Sequence, residues 1–461
     1  MENNKTKSYH FIAIGGVGQS ALAKILKIKG YEVSGSDIKE SKYTKELENL
    51  GVKINIGHDK NVIKENMIIV LSSAIKEDNV ELIRAKELNL PLYHRSDILK
   101  LISDNYECFI GFSGTHGKTT MTGLCSYILE KLNAHPAYAA GGIIQELETN
   151  ANAYKESEIF IAELDESDGT IVKYSPDYIV INNLEADHFD FYKKGEDDLI
   201  NTFKTFINNL KPEAEIFINL DDSGCQTFLN EIKNKNVITY SIKDKNADYY
   251  ADNIILNSEY NSFDLYIKGI YKDSFKTLLT GVHNVSNALS VLSVLNEKGF
   301  NLKEIKPYLY SFKGMKRRYE TVLKNDYVTI IDDYAHHPTE IKALLKNARK
   351  RTSNNIVAIF QPHRYTRLKA LWNDFLNSFE LADELFILDT YPAGDKFNEE
   401  YNSKTFNDTI KHKCAKYIKG NINDAAKEIS KYIKNNDYIL TIGAGDVTKA
   451  GYILRGYYDK P

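Results

Sequence analysis

The chain has 461 residues, enough for about three domains, with 59 basic and 63 acidic residues and a net charge of −4. That balance argues against a nucleic-acid binder, which carries a basic footprint, and no apolar run reaches the roughly 18 residues of a membrane helix. The polar start MENNKTKSYH lacks the apolar core of a secretory signal, and the four cysteines (Cys108, Cys125, Cys225, Cys414) follow no metal-binding spacing, so a reducing, cytoplasmic setting is expected.

Residues 9–106 alternate strands with helices. YHFIAIGG, YEVSGSD, VKINIG, MIIVLSS and LYH read as strands, with helical patterns between them, for example over 19–29 and 80–89. This alternation predicts parallel strands joined by helical crossovers. The first strand runs into AIGGVG, where Ala13, Gly15 and Gly18 occupy the frame of a dinucleotide-binding loop lacking its first glycine. Asp37 ends the second strand. Amides from Gly15, Gly16, Val17 and Gly18 would face a diphosphate. NAD, hence an oxidoreductase, fits this loop.

The pattern restarts near 107. The strand ECFIGFSG leads into GTHGKTT and then the helix TTMTGLCSYILEKL. Strand, glycine loop and helix are the context of a phosphate loop, whose amides and helix N-terminus face the phosphates. The spacing is a variant: Gly111, Gly114 and Gly117 precede the lysine, with Phe112 where the strict pattern wants glycine. Lys118 would reach the outer phosphates and Thr119 would bind Mg²⁺ through its hydroxyl. The plain alternative is a glycine-rich strand–helix turn. A metal also needs a carboxylate, and Glu163 ends the apolar strand IFIAE, followed closely by Asp165, Glu166 and Asp168; the bland alternative is a solvated acidic turn. After the next strand comes NNLEADHFD, which sets His188 between Asp187 and Asp190. Strands EIFINLDD and VITYSI follow. Residues 247–280 are strand-rich without helices, predicting a small antiparallel patch, and HNVSNALSVLSVLNEKG closes the unit as a helix ending at Gly299.

A third series begins near 315, with strands YVTIIDDY, NIVAIF, ELFILDT and YILTIGAG. FQPHRYTR follows NIVAIF, so His363, Arg364 and Arg367 would gather at that strand's carboxyl end, where an arginine fork suits a carboxylate. DDYAHH (332–337) precedes Pro338 as a loop before a helix. The domains expected from these restarts are 1–106, 107–314 and 315–461, all α/β: Rossmann-like, phosphate-loop ATPase-type and Rossmann-like in turn.

GTHGKTT, ELDESD, NNLEADHFD and GVHNVSNAL occur in the order and spacing of the Mur ligase family. KRRYE (316–320), DDYAHHPTEI (332–341) and FQPHRYTR (360–367) make the chain resemble the family's alanine-adding branch over essentially its whole length. The resemblance implies an ATP-dependent ligase of peptidoglycan synthesis that phosphorylates the carboxylate of UDP-N-acetylmuramate and passes the acyl group to L-alanine. A relative that adds an intact tripeptide is the alternative; a dehydrogenase would not need a second phosphate loop. By the same resemblance, ATP would meet Gly114, Thr115, His116, Gly117, Lys118, Thr119, Thr120, His283, Asn284, Asn287, Arg318 and Asp333. The sugar nucleotide would meet the Gly15–Gly18 loop, Asp37, Ser72, Ser73 and Arg95, although Arg95 is also readable as a solvated helix start and Asn284 as a helix cap. Tyr334, His363, Arg364 and Arg367 would meet the amino acid and product, with Lys118, His188, His363 and Arg364 as the catalytic set. Thr119 and Glu163 would hold one Mg²⁺ and His188 would help hold a second. Some relatives carry a carbamylated lysine about 14 residues beyond that histidine; here Thr202, Phe203 and Lys204 surround the position. A closing cleft would exclude water, and a monomer or homodimer is expected.

Overall fold

The structure is a computed structural model and describes residues 8–73, 75–185, 192, 195–232, 235–257 and 259–459. The chain divides into two compact units, one running to Gly314 and the other beginning at Met315.

The first unit holds two sheets. Strands β1 (Ser8–Ile12), β2 (Glu32–Asp37), β3 (Lys53–Ile56), β4 (Met67–Leu71) and β5 (Leu92–His94) form a parallel sheet in the order β3-β2-β1-β4-β5. The order reverses at β1, and the glycine loop leaves the sheet at that switch point, where open α/β sheets bind ligands. Helix Val17–Ile28 follows, starting at Gly16.

The second sheet has ten strands: β6 (Cys108–Ser113), β7 (Ala137–Ile144), β8 (Thr149–Asn152), β9 (Ile159–Glu163), β10 (Tyr178–Ile181), β11 (Glu215–Asn219), β12 (Asn236–Ser241), β13 (Tyr249–Leu256), β14 (Asn261–Ile267) and β15 (Ile270–Thr277). Their order is β15-β14-β13-β12-β11-β10-β6-β9-β7-β8. Every residue of β6 is buried, as its apolar run predicts for a central parallel strand. Phe112 is fully enclosed, which contributes about 1.5–3 kcal/mol. Registers Ser113↔Ile181 and Phe112↔Glu163 bring the carboxyl ends of β6, β10 and β9 level, so the phosphate loop emerges between an asparagine pair and an acid. One apolar cluster runs from Tyr9 and Phe11 through Phe160 to Phe228, joining the two sheets of this unit.

The expected antiparallel patch is β13–β15, but it is no separate layer. Tyr240↔Tyr249 pairs β12 with β13 and continues the large sheet. Strands β7 and β8 were not anticipated: AYAAGGII and TNAN are rich in small or polar residues, and partner strands rather than local propensity make them strands.

The second unit contains β16 (Glu320–Lys324), β17 (Val328–Asp333), β18 (Ile356–Phe360), β19 (Glu384–Leu388), β20 (Ala415–Ile418) and β21 (Asp437–Ile442), ordered β16-β17-β21-β18-β19-β20. The edge strands β16, which is antiparallel, and β20 were also missed; both are short and only partly buried.

Candidate active site

Helix Lys118–Lys131 starts at Gly117, whose φ of +90° is left-handed. A Cβ there would sit 2.7 Å from Asn287 Oδ1 and 2.8 Å from Asn182 Nδ2, so both backbone conformation and space demand glycine. The loop is laced to the end of β10. Thr115 N–H donates to the Asn183 carbonyl (3.2 Å), His116 N–H donates to Asn183 Oδ1 (2.7 Å), and Asn182 Nδ2 donates to the His116 carbonyl (3.1 Å). Asn182 is buried; its Oδ1 accepts from the Tyr240 hydroxyl (2.7 Å) and its Nδ2 reaches Asn287 Oδ1 (3.3 Å). Asn287 Nδ2 in turn donates to Asn284 Oδ1 (3.1 Å). One hydrogen-bonded chain therefore links the phosphate loop to helix Val282–Glu297, which carries His283, Asn284 and Asn287. Motif spacing alone does not single out Asn182 and Asn183; two adjacent amides directly after a buried parallel strand are the signal for them. Asn284 is not the helix cap: Gly281 holds that position, and Asn284 Nδ2 donates to the Thr280 carbonyl (2.9 Å).

The acids at and after the end of β9 are not a solvated turn; they are distributed over Thr119, Lys118 and Arg95. Glu163 Oε2 accepts from the Thr119 hydroxyl (2.8 Å) and the Gly141 amide (3.0 Å). Glu166, 1% exposed, pairs with Lys118 Nζ at 2.8 and 3.1 Å. Lys118 also donates to the Gly114 carbonyl (2.6 Å). Although burial disfavours its charge, Glu166, Asp165 and Glu163 outweigh that and hold the amine above the usual lysine range. Asp165 lies 3.9 Å from Lys118 and 3.5 Å from Arg95 Nη2, and Asp168 lies 3.7 Å from Arg95. Arg95 is therefore no solvated helix start.

Thr119 and Glu163 offer the oxygen donors that Mg²⁺ takes, side by side at the helix N-terminus, so these residues fit the ion. Among the described residues no three histidine, cysteine, aspartate or glutamate side chains close into a metal cage. His188, with Asp187 and Asp190, lies outside the described residues. Lys204 pairs with Glu231 at 2.9 Å, and the hydroxyl of Thr202 donates to the Asp198 carbonyl. Thr120 continues the first turn of the loop helix, and His116 Nε2 stands 3.9 Å from Glu185.

In the glycine loop at β1, Ala13 takes a φ of +64° at the position where the dinucleotide frame has its first glycine. Gly15 N–H donates to Asp37 Oδ2 (2.9 Å), and a Cβ on Gly18 would lie 3.7 Å from Arg95 Nη1. The loop, Asp37 and Arg95 are thus neighbours. Ser72 and Ser73 follow β4; Ser73 Oγ is 3.1 Å from His94 Nε2, beside Arg95.

The second unit gathers its own cluster. The Arg317 and Arg318 guanidiniums lie 4.8 and 5.6 Å from the Tyr334 ring centroid, and Asp333 accepts from the Tyr319 and Ala335 amides, both at 2.8 Å. Burial pushes the Asp333 carboxyl up to about 6. The His336 ring is 5.4 Å from Tyr334 and 6.2 Å from His363, which stacks on Tyr391 at 5.5 Å and 6°. Arg367 Nη1 meets His363 Nδ1 at 3.2 Å. Burial, with the Arg367 guanidinium, the His336 ring and the Arg364 guanidinium nearby, pushes His363 down to about 4, so the ring is neutral at pH 7. His337 caps helix Pro338–Arg351 and is spoken for. In the GAGD turn, the Gly443 and Gly445 carbonyls accept from Arg317 Nη2.

Three family models match the chain in succession: the Mur ligase family catalytic domain over residues 8–107, the Mur ligase middle domain over 112–295, and the Mur ligase glutamate ligase domain over 317–445. The chain is 38% identical over 453 residues to the UDP-N-acetylmuramate–L-alanine ligase of Dictyoglomus turgidum, covering 97% of this chain and 96% of that one. It is 39% identical over 451 residues to the enzyme of that name from Clostridium perfringens, covering 97% of each. The crystal structure of the UDP-N-acetylmuramate–alanine ligase of Thermotoga maritima matches with a TM-score of 0.84 at 26% identity, over 98% of this chain and 99% of that one. A murein peptide ligase from Psychrobacter arcticus shares the fold at a TM-score of 0.74 and 21% identity, over 97% and 98% of the two chains.

Proposed function

The chain belongs to the Mur ligase family, and on that premise we propose that it joins L-alanine to the carboxylate of UDP-N-acetylmuramate at the expense of ATP, in peptidoglycan synthesis. The observation that carries the reading is the phosphate loop itself. Its threonine and lysine face carboxylates at the end of the neighbouring strand β9 and three residues beyond it, in a chain like alanine-adding ligases over nearly its whole length.

A carboxylate is a poor acyl donor, because its charge repels nucleophiles and oxide is a bad leaving group. Attack by a carboxylate oxygen on the γ-phosphorus of ATP releases ADP and gives an acyl phosphate. The alanine amine then adds to the acyl carbon, and the tetrahedral adduct loses a proton and expels phosphate. The loop amides and Lys118 neutralise and orient the triphosphate. Thr119 and Glu163 would hold one Mg²⁺ and His188 would help hold a second; such ions would supply charge screening between two anions that must meet. Asn182, Asn287 and Asn284 hold the loop and the adenine-side helix in one register. The Gly15–Gly18 loop, Asp37, Ser72, Ser73 and Arg95 take the sugar nucleotide in domain 1–106, while domain 107–314 takes ATP. Tyr334, His363, Arg364 and Arg367, in domain 315–461, take the amino acid, with Arg318 and Asp333 toward the nucleotide. No described helix is long and apolar enough to cross a membrane, and we place the protein in the cytoplasm with its nucleotide substrates.

The test is phosphate release from ATP with Mg²⁺ and UDP-N-acetylmuramate, comparing L-alanine, the intact tripeptide and no amine. Release stimulated by alanine is expected. Stimulation by tripeptide alone would move the assignment to the tripeptide-adding relative.

A further inference from the structure

We propose that Asp395 is a positioning residue for amino-acid recognition, holding Arg364 so that one edge of its guanidinium stays open to the carboxylate of the incoming amino acid. The inference rests on the reading of Arg364 given above and extends it to a residue in a different loop, the one leaving β19.

The two carboxylate oxygens of Asp395 do different work. Oδ1 accepts from Arg364 Nε (3.3 Å) and Nη2 (3.2 Å). Oδ2 accepts from the Thr366 amide (3.0 Å) and hydroxyl (2.7 Å), at the first turn of helix Tyr365–Ala370. The Asp395 side chain is only 9% exposed while that of Arg364 is 48% exposed, so the acid is sunk in the loop and the guanidinium reaches outward. A guanidinium carries five N–H groups in a fixed fork. With the Nε edge occupied, Nη1 and the outer hydrogen of Nη2 remain as a parallel pair, the geometry that binds a carboxylate through both oxygens.

The backbone is committed as well. Arg364 has a φ of +69°, a left-handed conformation that a non-glycine residue keeps only where its surroundings impose it. Arg364 N–H donates to the Tyr391 carbonyl (2.8 Å) and Tyr391 N–H donates to the Pro362 carbonyl (2.8 Å), so the loop after β19 runs alongside residues 362–364 as a short bridge. An exposed ion pair in a relaxed turn would contribute little. Here the pair is half sunk, shares its acid with a helix start and accompanies a strained residue. Burial opposes the charge on Asp395, but the Thr366 amide and hydroxyl and Arg364 outweigh it, leaving the carboxyl below the ordinary aspartate range.

The test is steady-state ligation by the full chain, varying each substrate in turn, for wild type, D395A, D395N, R364Q and R364Q/D395A. Loss of a charge-assisted contact predicts that D395A raises the KM for L-alanine about tenfold or more, with the KM for ATP and for UDP-N-acetylmuramate within about twofold of wild type. In the R364Q background, D395A should add less than about twofold, since its action runs through Arg364. Overturning results are an unchanged KM for alanine in D395A, a rise in all three KM values together, or an equal effect of D395A with and without Arg364. If D395A does not fold, D395N, which keeps the size and one acceptor oxygen, decides on the same criteria. Wild-type protein that releases no ADP with alanine present would overturn the ligase reading, and this role with it.

Discussion

Lys118 Nζ lies 2.8 Å from Glu166 Oε2, and Glu166 is 1% exposed. The cation expected to grip a triphosphate is thus held inside the protein by an acid three residues beyond Glu163, the proposed magnesium ligand. On the proposed reading a bound nucleotide would compete with Glu166 for that amine.

Removing the lysine separates two of its roles. Lys118→Ala should abolish turnover while UDP-N-acetylmuramate still binds in isothermal titration; loss of both would contradict the division of labour between the two sheets of the first unit. The same change leaves Glu166 buried and unpaired, at a stability cost of about 3 kcal/mol or more. K118M/E166Q, which removes both charges, should melt at a higher temperature than K118M.

Gly141 tests the metal pair from the other side. A Cβ there would stand 2.2 Å from Glu163 Oε2 and 3.0 Å from Thr119 Oγ1. Gly141→Ala should therefore push the carboxylate away from Thr119. A displacement on the order of 1 Å predicts a fall in kcat of up to about 100-fold. The Mg²⁺ concentration for half-maximal rate should rise as well, and a magnesium titration of the initial rate checks both.

His363 should make the protein acid-sensitive in a defined window. Its pKa is about 4 in the folded chain and roughly 6.5 when unfolded. Between those values the unfolded state takes up a proton that the folded state refuses, so stability declines as pH falls from about 6.5 to 4 and gains nothing above that range. Calorimetric melting temperatures of wild type and His363→Asn should diverge least at pH 5 and most at pH 7 if the wild-type ring is otherwise stabilising; an identical pH slope in the two proteins would remove His363 from the account.

Discrimination against glycine has a physical ceiling. One methyl group in a pocket is worth about 1–3 kcal/mol, or roughly 10–200-fold in kcat/KM. Glycine, and to some degree serine, should support measurable ADP release. Rejection of both by five orders of magnitude would require a discriminating device beyond pocket fit.

Much of this molecule is written locally. CFIGFS, IFIAE and YIVI are continuous apolar runs because parallel strands are buried on both faces, and GTHGKTT must turn tightly between strand and helix. The loop, the acids and the buried central strands could therefore be read from the chain. Residues 186–191, with His188, lie outside the described structure. Strands β7 and β8 could not be read, because AYAAGGII and TNAN become strands only through neighbours distant in sequence.

The linear order of residues by itself determined three α/β segments, a phosphate loop with its lysine and threonine, and a cluster of acids at one strand end. Only the tertiary structure decided how those acids are shared, Glu163 to Thr119, Glu166 to Lys118, and Asp165 and Asp168 toward Arg95, and that Asp395 pairs with Arg364. Propensity and periodicity act over a few residues, whereas charge pairing acts through space, and its partners are chosen by sheet register and burial.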